Sequence, residues 1–321
     1  MSFPPRSVHT ADGGVTPAAR RPISGAWSIV ALTDALAYAA PVPLRELPAV
    51  GGLEVGAVLA TLAAHATPGS EAVDPDGHYR RLLEVSGTPV PVSLAIHQGG
   101  VRLRAPVGAL QEVAGLVRWW FDLDTDPRPV VDRLGRDPLL LPLVRERPAL
   151  RPLRHPAGFE ATVDTVLGQQ VTLASARLFG HRLRTAYSPG LVDGLVPFPS
   201  ARVLAGAPLE ELRAAVGLTT ARARTVRAVA RLFADGFTLG PATDPVAARH
   251  ELLAVPGIGP WTVEYLALRV LGDPDAFPAS DAVVRRALGG AAAREAEALA
   301  EAWRPHRSWA TAHLWAGQTS T

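Results

Sequence analysis

A glycine-containing turn between two apolar segments is the first feature of this sequence that could do chemistry. The turn Pro256-Gly257-Ile258-Gly259 separates two runs whose apolar residues have helical spacing. Glycine tolerates positive φ and has no Cβ atom, so a DNA phosphate could approach this backbone closely. Pro260 then starts a helix whose free N–H groups and positive dipole end face the same anion. The pattern predicts a phosphate-binding hairpin, and an ordinary helix–loop–helix corner is the alternative.

A carboxylate follows the turn at a distance that could place it beside a bound nucleotide. Asp281 lies twenty residues after Trp261, at the start of another helical pattern. The helix dipole favours an ionised carboxylate there by about 0.3–1 kcal/mol. Helix capping is the alternative role, but Ser280 could cap equally well, so we expect Asp281 to be free for chemistry. We expect Asp273 and Asp275, in the preceding loop, to be solvated turn residues.

Tryptophan and tyrosine residues lie near both features. Trp261 and Tyr265 are four residues apart, which places them on one face of the helix after the turn. Trp303, Trp309 and Trp315 form a second group near the end of the sequence. Such rings are usually core residues, but beside a phosphate-binding turn they could also stack on a base that has left the duplex.

The composition excludes several kinds of chemistry. The 321 residues include no lysine, so all 32 cationic side chains are arginine and no lysine Schiff base can form. The absence of cysteine excludes disulfides, cysteine-ligated zinc, iron–sulfur clusters and thiol chemistry. The histidines show no metal-ligand spacing. Arg224, Arg227 and Arg231 recur at helical spacing, either as a solvated face or as a contact to a DNA backbone.

The elements that would position these residues fall into a mixed region and a helical region. Residues 1–25 are rich in Pro, Gly, Ser and Thr and are predicted to be a disordered tail. Residues 26–133 are predicted to form an α+β domain with an antiparallel sheet. Its strands are expected at 79–85, 90–96 and 101–104, and its helices at 55–66 and 110–121.

Residues 134–321 are predicted to be entirely helical, and the hairpin occupies 245–271. Predicted helices cover 159–183, 209–216, 221–234, 245–253, 260–271, 281–288, 291–302 and 308–314. The predicted fold is therefore α+β, with an N-terminal sheet domain followed by two helical subdomains. No apolar run approaches 18 residues and no secretory signal pattern is present, so we expect a cytoplasmic protein without a membrane span.

Three segments together resemble the helix-hairpin-helix DNA glycosylase superfamily, and within it the AlkA type of 3-methyladenine DNA glycosylase II. They are LLAVPGIGPWTVEYLALRVLG, DAFPASDAVVRRALGG and AWRPHRSWATAHLW. Residues 159–171 are similar to the first helix of that family's glycosylase region. Residues 63–73 and 78–81 resemble its N-terminal α+β domain. The resemblance extends over roughly residues 35 to 315.

The resemblance implies roles for individual residues. Asp281 corresponds to the catalytic aspartate, and Trp261, Tyr265 and Trp315 correspond to residues of the base pocket. Gln170 falls where the family has a wedge that fills the gap left by a flipped base. The remaining DNA contacts are expected at Gly257, Ile258, Gly259 and Thr262. The backbone carbonyls of Leu253, Val255 and Ile258 are expected to hold a monovalent cation, Na⁺ or K⁺.

The sequence departs from the family pattern at several of these positions. Gln170 is polar where the AlkA type has an apolar wedge, and Ala282 replaces an aromatic residue. Thr61 and His65 replace larger or basic residues of the N-terminal pocket lining. Superfamily members that also cut the DNA backbone have a lysine at the position of Trp261, so a monofunctional enzyme is expected.

The expected function is excision of alkylated purines, of the 3-methyladenine and 7-methylguanine type, from double-stranded DNA in base excision repair. The expected product is an abasic site, no organic cofactor is required, and the expected state is a monomer acting on nucleoid DNA. One alternative is a glycosylase for oxidised or deaminated bases. Another is a non-catalytic DNA-binding protein that uses the hairpin as a clamp.

Overall fold

The computed structural model describes residues 43–74 and 77–318. The tail predicted for residues 1–25 lies outside the described residues, and so does the start of the predicted α+β domain, up to residue 42. The predicted helix at 55–66 and the three predicted strands are present, with ends that differ by one or two residues. The α+β fold class is therefore confirmed.

An antiparallel sheet of five strands forms the first part of the described chain, in the order β1-β5-β4-β3-β2. Alternate residues of β4 are buried, as expected for a sheet with one covered face. Helices α1 and α2 cover that face and form a core with it around Trp120 and Phe121. The elements are β1 (Leu44–Pro48), α1 (Val55–His65), β2 (Glu71–Val73), β3 (His78–Val85), β4 (Thr88–His97), β5 (Gly100–Arg104) and α2 (Leu110–Trp120).

The rest of the described chain is helical. Its elements are α3 (Arg128–Leu134), α4 (Leu141–Glu146), α5 (Gly158–Gly168), α6 (Leu173–Tyr187), α7 (Ala201–Gly206), α8 (Leu209–Val216), α9 (Thr220–Ala234), α10 (Pro245–Leu253), α11 (Pro260–Leu266), a π-helical turn (Ala267–Leu271), α12 (Ala282–Ala287), α13 (Ala293–Ala300) and α14 (Arg307–Gln318). Helix α3 crosses the domain boundary predicted after residue 133. None of the helices in the described ranges is both long and apolar enough to cross a membrane.

The helices surround two large apolar cores, and a small cluster of Ala267, Leu268 and Ala276 lies beside them. Helices α5 to α11 pack around the first core, which includes Ile258 of the hairpin turn. Helices α3, α4 and α12 to α14 pack around the second, which includes Trp303 and Trp309. The hairpin helix α11 comes from the first core, whereas α12 and α14 come from the second. A site between them can therefore draw side chains from both cores.

One predicted helix is wrong in an informative way. The apolar pattern over 159–183 predicted a single helix, but the chain forms α5 and α6 with a break at residues 169–172. Gln170 in this break has φ of 55°, in the left-handed region that residues other than glycine seldom occupy. Thr172 caps α6 by accepting the backbone N–H of Ser175. The apolar periodicity continues across residues 169–172, so the sequence pattern could not reveal the break.

Several short elements were also missed, because brief runs have weak periodicity. They are β1, β2, α3, α4 and α7.

A buried ionic cluster joins the sheet to the helices. Arg81 of β3 donates to Glu160 of α5 at 2.7 Å, and Arg184 of α6 donates to the other oxygen of Glu160 at 2.9 Å. Arg184 also donates to Asp164 at 2.8 Å. Burial alone would raise the pKa of Glu160, but the charges of Arg81 and Arg184 outweigh it and hold the pKa at about 2. Glu160 is therefore ionised at neutral pH.

Replacing Glu160 by glutamine should lower the free energy of unfolding by about 3–5 kcal/mol, because both arginines then remain buried with too little negative charge. Urea titrations at pH 7 measure this loss. The matched control is Glu210→Gln, which removes an exposed pair with Arg213 and should change stability by about 0–1 kcal/mol.

The loss should depend on pH in a defined direction. The pKa of Glu160 is lowered from 4.5 in the unfolded chain to about 2, so its stabilisation is complete above pH 4.5 and disappears toward pH 2. The difference between wild type and Glu160→Gln should shrink over that window. Equal losses for Glu160→Gln and Glu210→Gln at pH 7 would contradict the role of the cluster.

Candidate active site

The predicted hairpin consists of α10, the turn and α11. Helix α10 starts as expected, because Asp244 accepts the backbone N–H groups of Val246 and Ala247, both at 2.8 Å. Ile258 is buried between the two helices and packs in the first helical core. The turn therefore has a fixed shape, set by packing behind it and by the two helices that flank it.

The two glycines of the turn have different roles. Gly257 has φ of +93°, and a Cβ atom there would collide with the hydroxyl group of Thr225 on α9. Gly259 has an extended backbone, with φ of −112° rather than a positive value. Among the described residues, no heavy atom other than those of its two chain neighbours lies within 4 Å of the place where its Cβ would be. Gly257 thus allows tight packing on the protein side, and Gly259 leaves the outer side of the turn accessible.

Gln169 connects the break between α5 and α6 to the hairpin. Its side-chain amide donates to the backbone carbonyl of Gly257 at 3.1 Å and to the hydroxyl of Thr262 at 3.0 Å. Arg222 of α9 donates to the backbone carbonyl of Gln169. These bonds hold the neighbouring Gln170 at an exposed position beside the turn. The Thr262 side chain is buried, and its hydroxyl oxygen accepts the bond from Gln169.

Four N–H groups hold the carboxylate of Asp281. One oxygen accepts the backbone N–H groups of Val283 and Val284 at 3.0 Å and the indole N–H of Trp315 at 3.1 Å. The other oxygen accepts the indole N–H of Trp261 at 3.1 Å. These bonds fix the orientation of the carboxylate between the two helical cores.

The expectation that Asp281 would not be needed as the helix cap, because Ser280 could take that position, is therefore wrong. Asp281 has the extended backbone of an N-cap residue and occupies that position itself. Asp281 can cap the helix and take part in the site at the same time. The carboxylate oxygen that accepts the indole N–H of Trp261 takes no part in the capping bonds.

Three aromatic side chains surround the carboxylate. The rings of Trp261 and Tyr265 are stacked, with centroids 5.4 Å apart and an angle of 26° between their planes. Tyr265 also contacts Trp315 at 5.9 Å, with the planes tilted by 50°. The structure thus brings together all four residues predicted for the catalytic position and the base pocket. Trp303 and Trp309 instead belong to the second helical core.

Two cavities meet at Asp281, with volumes of about 720 and 380 Å³. Trp315 lines the larger cavity and Trp261 the smaller. Thr61, His65, Leu153, Leu173, Tyr265, Arg269, Asp281 and Val283 line both. Volumes of this size suit a single nucleobase with part of its sugar. Thr61 and His65 come from α1 of the sheet domain, and the sequence predicted both as N-terminal residues of the pocket lining.

Several lining residues were not predicted. Arg269 lies one helical turn after Tyr265, and the exposed Leu173 starts α6. His155 was missed as well; burial lowers its pKa to about 3, and the positive charge of Arg81 adds to the effect. Among these three residues, the sequence contained a signal for Arg269 alone. Arg269 follows Tyr265 by four residues, as Tyr265 follows Trp261, which indicates the same helix face.

The expectation for the loop before Asp281 is also wrong. Asp273 pairs with Arg249 at 2.6 Å, and Asp275 pairs with Arg307 at 3.0 Å and with Arg304. Both carboxylates thus fasten the loop rather than face solvent. The three arginines lie 24 to 32 residues away in the chain, so local sequence could not indicate these pairs.

The carbonyls expected to hold a monovalent cation lie in the hairpin. Val255 accepts the N–H of Ile258 at 3.0 Å, and the carbonyls of Leu253 and Ile258 accept no hydrogen bond from a described residue. Neutral backbone oxygens are ligands that hard monovalent cations accept. The donor set therefore fits such an ion. No cluster of three or more His, Cys, Asp or Glu side chains in the described ranges is arranged to hold a metal.

Comparison with known proteins finds a matching family for each of the two parts of the chain. Residues 45–157 match the AlkA N-terminal domain, and residues 163–306 match the HhH-GPD superfamily base excision DNA repair proteins. DNA-3-methyladenine glycosylase 2 of Escherichia coli is 33% identical over 271 residues, which are 80% of this chain and 92% of that protein. The fold and the site thus define a helix-hairpin-helix DNA glycosylase architecture.

Two further comparisons agree. The "Probable bifunctional transcriptional activator/DNA repair enzyme AlkA" of Mycobacterium tuberculosis is 40% identical over 294 residues, 88% of this chain. The chain spans only 58% of the length of that relative. A 3-methyladenine DNA-glycosylase from Archaeoglobus fulgidus has the same fold, with a TM-score of 0.72, 18% identity, and coverage of 84% of this chain and 97% of that one. The chain belongs to the AlkA family of 3-methyladenine DNA glycosylases.

The indole contacts to Asp281 predict a specific spectroscopic result. Seven tryptophans give seven indole N–H signals in a ¹⁵N–¹H spectrum, and Asp281→Asn should move two of them, those of Trp261 and Trp315, upfield. Asparagine also caps helices, so the fold should be retained.

Asp137→Asn is the matched control, because Asp137 accepts the indole N–H of Trp303 at 2.7 Å outside the site. It should move one different signal. An unchanged pair of signals in Asp281→Asn would contradict the carboxylate geometry.

Proposed function

We propose that the protein is a monofunctional DNA glycosylase that excises alkylated purines from double-stranded DNA and leaves an abasic site. One observation carries the proposal. The Asp281 carboxylate is held by two indole N–H groups where two base-sized cavities meet, beside a turn suited to a phosphate. A non-catalytic clamp would need the turn but not a carboxylate anchored in a cavity.

DNA binding would begin at the hairpin. The backbone N–H groups of Trp261 and Thr262 lie in the first turn of α11, where helix geometry leaves them unpaired and the dipole attracts a phosphate. Arg224 and Arg231 are exposed on α9 and Arg227 is half-buried, so this stripe can contact the backbone further along the duplex. The carbonyls of Leu253, Val255 and Ile258 would hold a sodium or potassium ion close to the same phosphate.

Gln170 would fill the space left when a nucleotide leaves the duplex. Its exposed left-handed backbone position sets it apart from both flanking helices, and Gln169 ties that position to the hairpin. Extrusion costs a few kcal/mol, and less where damage has weakened the base pair. Binding of the phosphate and insertion of the wedge would therefore occur in one concerted movement of the DNA.

The aromatic rings would receive the extruded base. A purine methylated at N3 or N7 carries a positive charge, and electron-rich rings attract a cation by about 0.5–2 kcal/mol. The same charge makes the base a better leaving group. Stacking on Trp261, Tyr265 or Trp315 would thus favour the substrates whose glycosidic bond is easiest to break.

Asp281 would stabilise the positive charge that develops on the sugar. The N-glycosidic bond breaks with its electron pair moving to the base, and the sugar becomes oxocarbenium-like. A carboxylate already oriented by four N–H groups needs no reorganisation at that moment. A water oxygen then bonds to C1′, its proton leaves to Asp281 or solvent, and the products are free base and abasic DNA.

Asp281→Asn should reduce the release of 3-methyladenine and 7-methylguanine from methylated duplex DNA by about 100-fold or more, because the developing charge loses its counter-ion. Binding to abasic DNA should be retained. Single-turnover rates with chromatographic detection of the bases measure the effect.

Asp244→Asn is the matched control, since Asp244 caps α10 through the same two-amide pattern without lining a cavity. Its excision rate should equal that of wild type. If Asp281→Asn keeps full activity, Asp281 is not the catalytic group. If wild type releases neither base, the assigned substrate class is wrong.

We also propose that the protein lacks lysine-dependent lyase activity and acts as a monomer. The chain contains no lysine, and the indole of Trp261 occupies the position beside Asp281 where bifunctional relatives need an amine. DNA containing an abasic site should stay intact after incubation until alkali is added, and borohydride should trap no covalent complex. Strand cleavage before alkali, or a trapped complex, would refute the assignment.

A further inference from the structure

Two side chains of α9 contact the hairpin turn and the break between α5 and α6. Arg222 donates to the backbone carbonyl of Gln169 in the break. The hydroxyl group of Thr225 lies 3.0 Å from the carbonyl oxygen of Pro256 in the turn, within donating distance. Arg222 and Thr225 are three residues apart and therefore lie on one face of α9. Because a helix holds such residues at a fixed spacing, this face sets the separation between the break and the turn.

Arg222 contacts the chain on both sides of the break. Its guanidinium group bonds to Gln169, which follows α5, and it lies 5.9 Å from the ring centroid of Phe179 on α6. A cation near an aromatic ring is attracted to it. Thr219, the N-cap of α9, accepts the backbone N–H of Arg222 at 3.3 Å. The half-buried Arg222 thus joins α9 to both helices that flank the break.

The bond from Arg222 acts on the backbone conformation of Gln170. The carbonyl of Gln169 and the N–H of Gln170 belong to one planar peptide group. Gln170 has φ of 55°, which costs free energy for a residue with a side chain and persists where the surroundings hold it. A local return to negative φ would turn this peptide plane. Since Arg222 fixes the direction of the carbonyl, it opposes that rotation and keeps Gln170 in its exposed position.

The side chain of Gln169 connects the same peptide to the hairpin. Its amide group has two N–H donors, and both are used. One donates to the carbonyl of Gly257 at 3.1 Å and the other to the hydroxyl of Thr262 at 3.0 Å. Gln169 is therefore held by α9 at its backbone and by the hairpin at its side chain. These bonds together define where Gln170 lies relative to the turn.

We propose that Arg222 is a positioning residue for nucleotide extrusion. Acting through the carbonyl of Gln169, it holds Gln170 at the distance from the hairpin turn from which Gln170 enters the duplex. This inference rests on the proposed glycosylase function and gives Arg222 no part in breaking the glycosidic bond. Extrusion costs a few kcal/mol in a stacked pair and least where a base is already unpaired. The contribution of Arg222 should therefore depend on the strength of the base pair.

Single-turnover excision of 7-methylguanine from two duplexes tests this dependence. In one duplex the base lies opposite cytosine, and in the other it lies within three consecutive mismatches and is unpaired beforehand. Arg222→Met should lower the rate on the paired duplex by about 10- to 100-fold, the range for loss of a hydrogen bond to a charged group. The rate on the mismatched duplex should stay within about twofold of wild type. Arg222→Lys can still donate to the carbonyl and should restore part of the loss.

A fluorescence measurement follows extrusion separately from bond cleavage. A 2-aminopurine placed next to the 7-methylguanine becomes brighter when stacking is lost. Wild type should raise this signal before the base is released, and Arg222→Met should give a smaller rise at an equal fraction of bound DNA.

A double variant tests whether Arg222 acts through Gln170. Gln170→Gly removes the side chain that would enter the duplex. If Arg222 acts only by placing that side chain, adding Arg222→Met to Gln170→Gly should cause little further loss on the paired duplex. Fully additive losses would overturn the inference.

Two control variants separate positioning from folding and from general DNA binding. Arg182 of α6 donates to the backbone carbonyl of Val216 at 3.4 Å, away from the break and the turn, so Arg182→Met should match wild type on both duplexes. Arg224 is exposed in the stripe proposed to contact the DNA backbone. Arg224→Met should weaken binding of both duplexes alike, because phosphate contacts do not depend on base pairing.

The outcomes distinguish this inference from the proposed function. Equal losses on the paired and mismatched duplexes in Arg222→Met would overturn the inference, since a purely structural role affects both alike. A wild-type rate of Arg222→Met on the paired duplex would also overturn it and leave the proposed function intact. Release of 7-methylguanine from neither duplex by wild type would end both.

Discussion

The carboxylate of Asp281 is the group through which residues from the two helical cores form one common site. Its capping bonds belong to α12, one indole partner comes from α14, and the other from the hairpin helix α11. Since α11 packs in the first core and α12 and α14 in the second, elements of both cores meet at one charged group. A shift between the cores would therefore change the contacts of the carboxylate. Rigidity of this kind is what electrostatic preorganisation requires.

Other polar contacts hold the hairpin turn, the loop before Asp281 and the sheet domain in fixed positions relative to that carboxylate. Gln169 connects the end of α5 to the hairpin turn, and Asp273 fastens the loop that leads to Asp281 through Arg249. The cluster around Glu160 holds the sheet domain, and with it the α1 wall of the cavities, against α5 and α6. Each link joins elements that are distant in sequence. The site is consequently a property of the whole described chain and not of the hairpin alone.

The parts that sequence alone predicted are those with strong local signals. Proline, glycine and capping residues mark the hairpin, alternation marks β3 and β4, and Asp281 stands out beside an aromatic pattern. The break at residues 169–172 escaped, because apolar spacing runs through it and only the backbone of Gln170 reveals the turn. The partners of Asp273 and Asp275 escaped for a different reason, since they come from distant parts of the chain. Local rules describe elements well, and long-range pairing decides which residues share a cavity.

Substrate choice in such a cavity is a balance between two effects of similar size. Stacking on aromatic rings favours a cationic base by about 0.5–2 kcal/mol. An unpaired guanidinium opposes the same base by about 2 kcal/mol if their separation is roughly 8 Å and the effective dielectric constant about 20. Because the two effects are of similar size, neither is expected to determine the choice between a charged and a neutral base by itself. The aromatic rings therefore supply one of two opposing electrostatic contributions at these cavities, and Arg269, which lines both of them, supplies the other.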